Sequence, residues 1–520
     1  MADIRILDQN GVPIPRERQP SAAAFGDTAH HAASATAKDL RSWTPAEGSA
    51  DADLLTEIPA IRSRSRDLVR NHGIASGAMN TLVDNVIGAG LRLAPTPDWR
   101  ALGRDNDWAR EWVRDVQAKW RVWAESFDCD AGRSMNFNDL TAQIFRSVLV
   151  NGEGLGLSLW LPDDGDTPYG SAMQLVEPDR LSNPHNRLDT DRLRAGVEIN
   201  RFGAPQAYHI RRSHPGDYLM GWVPPWEWER VPARTPWGRR RVVHCFEKDR
   251  VGATRGKPIL TAVMPQFKML DHYQRAEIQS AVTNALIAAF IETPLDAEGI
   301  NQLFGDRIED YVEARNSHMV KLQGGAVIPL YPGDRLSSFT PNRPATAYPN
   351  FVETVLRHIA TGINLPYELL LKDFSKSNYS SARAALLEAW RYFATRRKWL
   401  AAHWAQPVYE LWLEEAVERG DIEAPGFREN RPAYARAKWI GPGRGWIDPV
   451  KEAQAAKVRM DIGVSTLEAE CAEQGLDWEE VLEQRARERA KMQELGLTEQ
   501  DLEAEMAVTP TSDEPAQQQQ

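Results

Sequence analysis

A long helical pattern dominates the centre of the sequence, where it opens at Pro258 and should be ended by Pro294. Apolar residues recur along it at helical spacing and predict a buried face. They are Val263, Phe267, Leu270, Ile278, Val282, Leu286 and Ala289. A compact insert over residues 292–340 follows, with a helical pattern GINQLFGDRIEDYVEARN and strand-like runs around HMVKL and AVIPLY. The stretch NFVETVLRHIATGIN then predicts a second helix, so the chain leaves along one helix and returns along another.

The segment after the returning helix should contain a polar loop. The sequence NLP at 364–366 breaks the helix, and LLKDFSKSNYSS follows as the loop. A long helix should restart with Ser380 or Ser381 as its N-cap, because a serine hydroxyl can accept a hydrogen bond from the first helical turn. Pro407 should kink that helix, since proline cannot donate the backbone hydrogen bond that a helix interior requires.

The first 257 residues mix helices with short strands. Residues 1–55 lack periodicity and should form a flexible arm. One helix should begin near Leu54 and continue to Gly88 and Gly90, and the tryptophans of DWAREWVRDVQAKWRVWAE predict a core or subunit-contact stripe on the next helix. The runs LGLSLWL, AMQLVE, AGVEINR and QAYHIRR predict strands. The stretch GWVPPWEWERVPARTPWG is dense in proline and tryptophan and predicts a loop with packing anchors.

Length and charge narrow the class of protein. A chain of 520 residues is too long for one hydrophobic core, so we expect several subdomains. The net charge is -11, but residues 451–520 carry 7 Lys and Arg against 17 Asp and Glu, a net of -10, so the first 450 residues sum to only -1. A protein that grips duplex DNA should be basic on its contact face. The sequence shows no such basic stripe.

Other features argue against a membrane, secreted or metal-bound protein. No apolar run reaches the roughly 18 residues of a membrane-spanning helix, and Met1 to Pro20 has no apolar signal region. Ile278 to Ile291 should be a buried helix. The three cysteines lie far apart and predict reduced, partly buried thiols. They are Cys129, Cys245 and Cys471.

The sequence predicts no catalytic, cofactor or metal site. It contains no GxxxxGK[ST] loop, no HExxH and no GxSxG. The glycines of NGEGLGLSLW lead into a strand-like run, so we interpret them as a strand start or bulge. Asp128 and Asp130 should belong to a capped turn, because no glutamate closes a calcium loop there. The acid pairs Asp163–Asp164 and Glu414–Glu415 should lie on the solvated surface.

Several stretches, in this order, resemble the lambda-like portal proteins of tailed bacteriophages. Together they span about residues 60 to 500, and the ordered set is far more specific than any one motif. They are RSRDLVRNHGIASGAMNTLVDNVIGAGLRL, LVEPDRLSNP, GVEINRFGAPQAYHIRRSHPGD, VVHCFEKDRVGATRGKPIL, NLPYELLLKDFSKSNYSSARAALLEAWR and WIDPVKEAQAAKVRMDIGVSTLEAECAEQGLDWEEVLEQRARE.

The resemblance implies an α+β fold that is mainly α, with the division of a portal subunit. It comprises a flexible N-terminal arm (1–55), a mixed α/β wing (56–257), a first stem helix (258–291), a small α/β clip (292–340), a second stem helix (341–365), a tunnel loop (366–380), a long kinked helix returning to the wing (381–447), an acidic helical crown (448–507) and a disordered tail (508–520).

The resemblance also implies a function and a set of partners. A ring of about twelve identical subunits would form the channel at one capsid vertex for DNA packaging and ejection. Its expected partners are double-stranded DNA bound without sequence preference, the terminase large subunit, the major capsid and scaffold proteins, and head-completion or tail adaptor proteins, with no membrane. The protein would be a virion component that is assembled in the host bacterial cytoplasm, and it would be no enzyme.

We assign the expected DNA contacts to Lys372, Lys376 and Arg383, which lie in or beside the expected tunnel loop. A conduit must let duplex DNA slide, so these cations should make only transient phosphate contacts. An alternative is that they are ordinary exposed cations or subunit-interface pairs. Two other classes of protein stay open at this point: another phage head or tail structural protein, and a DNA-processing nuclease.

Overall fold

The computed structural model describes residues 37–162, 168–220, 226–286, 290–292, 335–337, 348–445 and 448–496, with isolated positions between 32 and 34 and between 302 and 313. The fold is α+β and mainly α, as predicted. Several predicted features lie outside these residues. They are the helix and the two strand-like runs of the insert, the acid pair Asp163–Asp164, and the tail 508–520.

The helices are named here in chain order. They are α1 (Ala50–Leu54), α2 (Ile58–Asn71), α3 (Gly73–Val86), α4 (Asn106–Ala124), α5 (Phe137–Asn151), α6 (Met264–Leu286), α7 (Tyr348–Gly362), α8 (Tyr367–Leu371), α9 (Tyr379–Leu400), α10 (Gln406–Glu418), α11 (Phe427–Tyr434), α12 (Pro449–Asp461), α13 (Leu467–Glu473) and α14 (Trp478–Glu494).

The strands pair only antiparallel within the described residues. They are β1 (Arg92–Pro95), β2 (Glu153–Trp160), β3 (Ser171–Val176), β4 (Leu193–Arg194), β5 (Val197–Ile199), β6 (Pro205–Arg211), β7 (Trp228–Pro232), β8 (Val242–Phe246), β9 (Phe290–Glu292), β10 (Arg335–Ser337) and β11 (Ala437–Ile440). The sheet orders are β1-β11, β9-β10, β3-β2-β8 and β4-β5-β6-β7.

The main core lies where α3, α4, α5 and α10 meet. The Trp120 ring is at its centre, with centroid distances of 5.1 Å to Phe137, 5.7 Å to Tyr409 and 5.2 Å to Trp412. These edge-on contacts are the geometry that aromatic quadrupoles favour. The tryptophan stripe of α4 is therefore a core stripe, with three members buried and Trp108 packed against them. The buried members are Trp112, Trp120 and Trp123.

The single helix predicted from Leu54 to Gly88 is wrong. The backbone of His72 is extended, with φ -117° and ψ 112°, and it separates α2 from α3. The His72 ring packs edge-on against Phe267 of α6 at a centroid distance of 4.9 Å. The helix break at His72 is thus stabilised by a contact with a residue far away in the chain, and the local sequence pattern does not predict it.

The flexible arm predicted over residues 1–55 is too long. Helix α1 lies within it, and its Asp51 is buried. The Asp51 carboxylate accepts a hydrogen bond from the Thr254 backbone N–H at 2.8 Å and pairs with Arg194 at 2.9 Å. The folded body therefore includes α1.

The proline- and tryptophan-rich stretch predicted as a loop contains a strand. Strand β7 pairs with β6, with Trp228 opposite Arg211 and Val231 opposite Tyr208. Proline is tolerated here because β7 is the edge strand of its sheet. The prediction that this stretch supplies packing anchors is wrong for Trp226 and Trp237, because both side chains are exposed in the single chain.

The central helix is shorter than predicted. A 3-10 turn over Ile259–Val263 precedes α6, the helix ends at Leu286, and the chain has already entered β9 at Phe290, before Pro294. Its first turns are buried as predicted, but the buried face predicted beyond them is wrong for the single chain at Ile278 and Val282. The side chains of Leu286 and Ala289, predicted for the same face, lie outside the described residues. Ile278 is 65% exposed and Val282 is 48% exposed.

The long helix after the loop starts earlier than predicted and is divided. Its N-cap is Asn378, whose side-chain oxygen accepts from the Ser381 N–H at 2.8 Å, so neither predicted serine caps it. The kink predicted at Pro407 is a π-helical turn over Ala401–Ala405. Because Pro407 has no N–H, the carbonyl four residues earlier, that of His403, is free to accept from the Cys245 thiol at 3.3 Å.

The pair Glu414–Glu415 was expected on the solvated surface, and this is wrong. The Glu415 side chain is buried, and its two oxygens accept from the backbone N–H groups of Gly170 and Ser171 at 2.7 and 2.9 Å. Glu414 lies 3.3 Å from the Arg431 guanidinium. Glu415 therefore joins α10 to the start of β3, and Glu414 joins it to α11.

Candidate DNA-channel segment

The returning helix α7 packs against the beginning of α6. Phe267 and Leu270 of α6 and Ile359 of α7 are fully buried there. A Cβ atom on Gly362 would clash with Val263, so the glycine lets the two chain segments approach closely. Further along, the ring of Tyr273 in α6 stacks on Tyr348 at a centroid distance of 5.5 Å. The predicted pair of outgoing and returning helices is therefore present.

The chain leaves α7 through two left-handed residues and one short helix. Asn364 has φ +56°, and Pro366 is the N-cap of α8. Lys372 ends α8 with φ +56°. The predicted polar loop thus contains a helical turn and is open only from Lys372 to Asn378. Burial raises the pKa of Tyr392 in α9 to about 12, and its hydrogen bond to Asn364 acts in the opposite direction.

The open part of this segment is bound to α7 by one carboxylate. Glu353 of α7 accepts from Lys376 Nζ at 2.8 Å and from Arg357 Nη2 at 2.9 Å. These hydrogen bonds hold the pKa of Glu353 below its usual value, and the same carboxylate raises the pKa of Lys376. Arg357 also lies over the Tyr367 ring, 4.7 Å from its centroid. Helices α7 and α8 and the loop therefore meet at Glu353.

Local hydrogen bonds shape the rest of the loop. Asp373 accepts from the Ser375 N–H at 2.9 Å, which forms an Asx turn. Phe374 and Tyr379 are exposed. The loop thus presents aromatic and cationic side chains together, on a backbone that is fixed at both ends.

The three predicted cations lie in different electrostatic settings. Lys372 is exposed at the end of α8. Lys376 is exposed and paired with Glu353. Arg383 lies in the second turn of α9 and is half-buried. A hydrogen bond from Lys451 lowers the pKa of Asp448, and the positive charge of Arg383 nearby lowers it further. Lys376 and Arg383 therefore each have an acidic neighbour within the chain.

Sequence reasoning proposed the cations of this segment but missed Glu353, the acid that pairs with Lys376. The only signal for Glu353 was its position four residues before Arg357 on a predicted helix, a spacing that favours an ion pair. Nothing local connects Glu353 to Lys376, which follows 23 residues later.

Elsewhere, the described residues contain no group of three or more His, Cys, Asp or Glu that could hold a metal ion. Asp130 belongs to a capped turn, as predicted, because its carboxylate accepts from the N–H groups of Gly132 and Ser134 at 3.1 Å. The cysteines are free and buried. Within the described part of the chain, no helix is long and apolar enough to cross a membrane.

Comparison with known proteins shows the family of this chain. Residues 36–397 match the family described as phage portal protein, lambda family, and the chain belongs to that family. It is 35% identical over 487 residues to portal protein B of Escherichia phage lambda, covering 90% of each chain. It is 36% identical to the portal protein of Escherichia phage N15, covering 88% of this chain and 89% of the relative. The resemblance inferred from the ordered motifs is confirmed.

A solved structure matches this chain at low sequence identity. It is described as the neck of an empty GTA particle computed with C6 symmetry. The TM-score is 0.45 at 12% identity, and the match covers 77% of this chain and 90% of that one.

Proposed function

We propose that this phage portal protein forms a closed ring of about twelve subunits around an axial channel for double-stranded DNA. The observation that carries the proposal is an exposed apolar pair on α6, where Ile278 and Val282 lie one helical turn apart and face solvent in the single chain. Apolar surface of this kind marks an interaction site. A ring places such a face against the next subunit, and the head-to-tail contact then repeats until the ring closes.

We assign the parts of the subunit as the resemblance implies. Helices α6 and α7 are the stem, the insert between them is the clip, and α12 to α14 form the crown. The segment from Pro366 to Ser380 is the tunnel loop. The packing of α6 on α7 and the fixed ends of the loop support this assignment.

The charge distribution supports a channel that holds DNA weakly. A net charge of -1 over the first 450 residues and of -10 over the last 70 gives no broad basic surface. Strong phosphate contacts would have to break at every step of translocation. We therefore assign only transient phosphate contacts to Lys372, Lys376 and Arg383.

The partners follow from this assignment. The clip would contact the terminase large subunit during packaging and head-completion or tail adaptor proteins afterwards, and the wing would face the major capsid and scaffold proteins. The ring would be assembled in the host cytoplasm and retained at the capsid vertex. The role is structural and not catalytic.

Solution mass and negative-stain imaging test the ring. The wild-type protein should give a closed ring of about a dozen subunits. Ile278→Glu places a charge on the α6 face and should shift the mass towards smaller species. Val251→Glu is the matched control, because Val251 is 94% exposed in the wing. A monomeric wild-type protein, or one that cuts DNA, would contradict the proposal.

The loop cations are tested in packaging. Replacing both Lys372 and Lys376 with alanine should change the length of packaged DNA or its retention. Unchanged packaging and retention would remove these two residues from the proposed DNA contacts.

A further inference from the structure

The Glu353 carboxylate occupies the position that a phosphate would take beside Lys376. It accepts from Lys376 Nζ at 2.8 Å and from Arg357 through Nη2 at 2.9 Å and Nε at 3.2 Å. Two guanidinium nitrogens and an ammonium group thus surround one carboxylate. Arginine and lysine side chains also bind phosphate oxygens through charge-assisted hydrogen bonds.

The two cations differ in how firmly they are placed. Arg357 lies four residues after Glu353 on the same helix, and the Tyr367 ring packs on its guanidinium. Lys376 reaches Glu353 from the open loop, and its side chain is 72% exposed while that of Glu353 is 23% exposed. Solvent and solutes therefore reach the Lys376 side of the pair.

We infer that Glu353 is a positioning residue that competes with DNA phosphates for Lys376 and so keeps the channel loop from holding DNA tightly. This inference rests on the proposed DNA channel. A passing phosphate has to displace the carboxylate from the lysine, and the carboxylate returns when the phosphate moves on. Exposed ion pairs are weak, so the exchange is possible in both directions.

The ring amplifies the effect of this pair. Each lysine that becomes available to phosphates steepens the dependence of log K on log salt by about 0.9. Every subunit contributes one Lys376. Removing Glu353 therefore frees one lysine in each subunit that the DNA contacts at the same time. Loss of Glu353 should thus raise affinity for DNA without adding a cation to the chain.

The test measures binding of a short fluorescent DNA duplex to the purified full-length ring over a salt titration. Glu353→Gln should bind tighter than wild type at low salt, with a salt slope steeper by about one unit for each lysine released. The variant Glu353→Gln/Lys376→Ala should gain over Lys376→Ala only as much as Glu388→Gln gains over wild type. Glu388→Gln removes an exposed acid from α9 and is the matched charge control.

The outcomes separate this inference from the proposed function. A gain for Glu353→Gln that exceeds the gain for Glu388→Gln, and that falls to the level of this control when Lys376 is absent, supports the role of Glu353. Equal affinities for Glu353→Gln and Glu388→Gln, or a gain above the control that persists without Lys376, overturn it while the ring stands. A wild-type protein that forms no ring by mass overturns the proposed function and this inference with it.

Discussion

The guanidinium of Arg255 binds both carboxylate oxygens of Glu153, with its Nε atom 2.8 Å and 2.9 Å from them, and both side chains are buried. Arg62 donates to the same carboxylate at 2.7 Å and His244 lies 2.9 Å from it. Arg255 also donates to the backbone carbonyls of Leu181 and Pro178. This cluster joins α2, β2 and β8 to the segment that leads into the stem.

Removing the charge of Glu153 should destabilise the protein strongly. Glu153→Gln keeps the shape of the side chain but leaves the buried Arg255 without its counter-charge and Arg62 with only Asp179 at 3.7 Å, a change that costs about 3–5 kcal/mol. Urea unfolding of the purified protein measures it. Glu227→Ala breaks the exposed pair with Arg212 and should cost less than about 1 kcal/mol. Equal losses in the two variants would contradict this reading of the cluster.

The same cluster should make stability depend on pH. Burial lowers the pKa of His244 more than its bond to Glu153 raises it. Burial alone would raise the pKa of Glu153, but Arg255, hydrogen bonds from His244 and Arg255, and Arg62 hold it well below its usual value. The unfolded chain therefore binds more protons. The stability that this cluster contributes should be fully present above about pH 6.5. It should fall below that pH, where the unfolded chain binds a proton at His244, and fall again below about pH 4.5, where the unfolded chain binds a proton at Glu153.

Thermal unfolding between pH 8 and pH 5 checks the histidine contribution. His244→Gln can still donate to Glu153 but does not titrate, so its unfolding temperature should fall less below about pH 6.5 than that of wild type. His403→Gln changes an exposed histidine and should follow wild type. Parallel curves for wild type and His244→Gln would rule out His244 as the source.

Gly156 in β2 should not tolerate a methyl group. A Cβ atom there would lie 2.6 Å from Cζ3 of Trp404 and 3.2 Å from Cε of Met173. The Trp404 ring is fully buried, and its Nε1 donates to Thr141 Oγ1 at 3.0 Å, so it has little room to move. Gly156→Ala should cost about 1–3 kcal/mol in urea unfolding. Gly252→Ala meets no atom within 4 Å and should be nearly neutral; a neutral Gly156→Ala would contradict the packing argument.

The last helix should bind the body in a salt-dependent way. Helix α14 has no buried residue, and Glu480 pairs with Arg92 at 2.7 Å and also with Arg121. A cleft of about 990 Å³ lies beneath it. Exposed pairs are screened by salt. Amide hydrogen exchange across α14 should therefore be faster at high salt, and Glu480→Gln should show fast exchange already at low salt.

A matched variant separates this docking from helix stability. Glu494→Gln removes a pair with Lys491 inside the same helix and should leave the salt dependence of exchange unchanged. Exchange in α14 that does not respond to salt in the wild-type protein would show that the Arg–Glu pairs do not hold the helix.

The sequence alone determined the elements whose signals are local. The tryptophans of α4, the glycines after α3 and the break at 364–366 each act within a few residues, so their periodicity and backbone preferences were sufficient. The order of the segments identified the family. The lysines of the loop could also be proposed from the sequence, because any exposed lysine is a candidate for a phosphate contact.

Only the tertiary structure decided which distant groups meet. Glu153 and Arg255 are 102 residues apart in the chain, and Glu415 caps a strand 244 residues earlier. A buried charge persists only where its partners are already in place, so its role depends on the whole fold and not on its neighbours in sequence. Glu353 became part of the candidate site for the same reason, because folding brings Lys376 to its carboxylate.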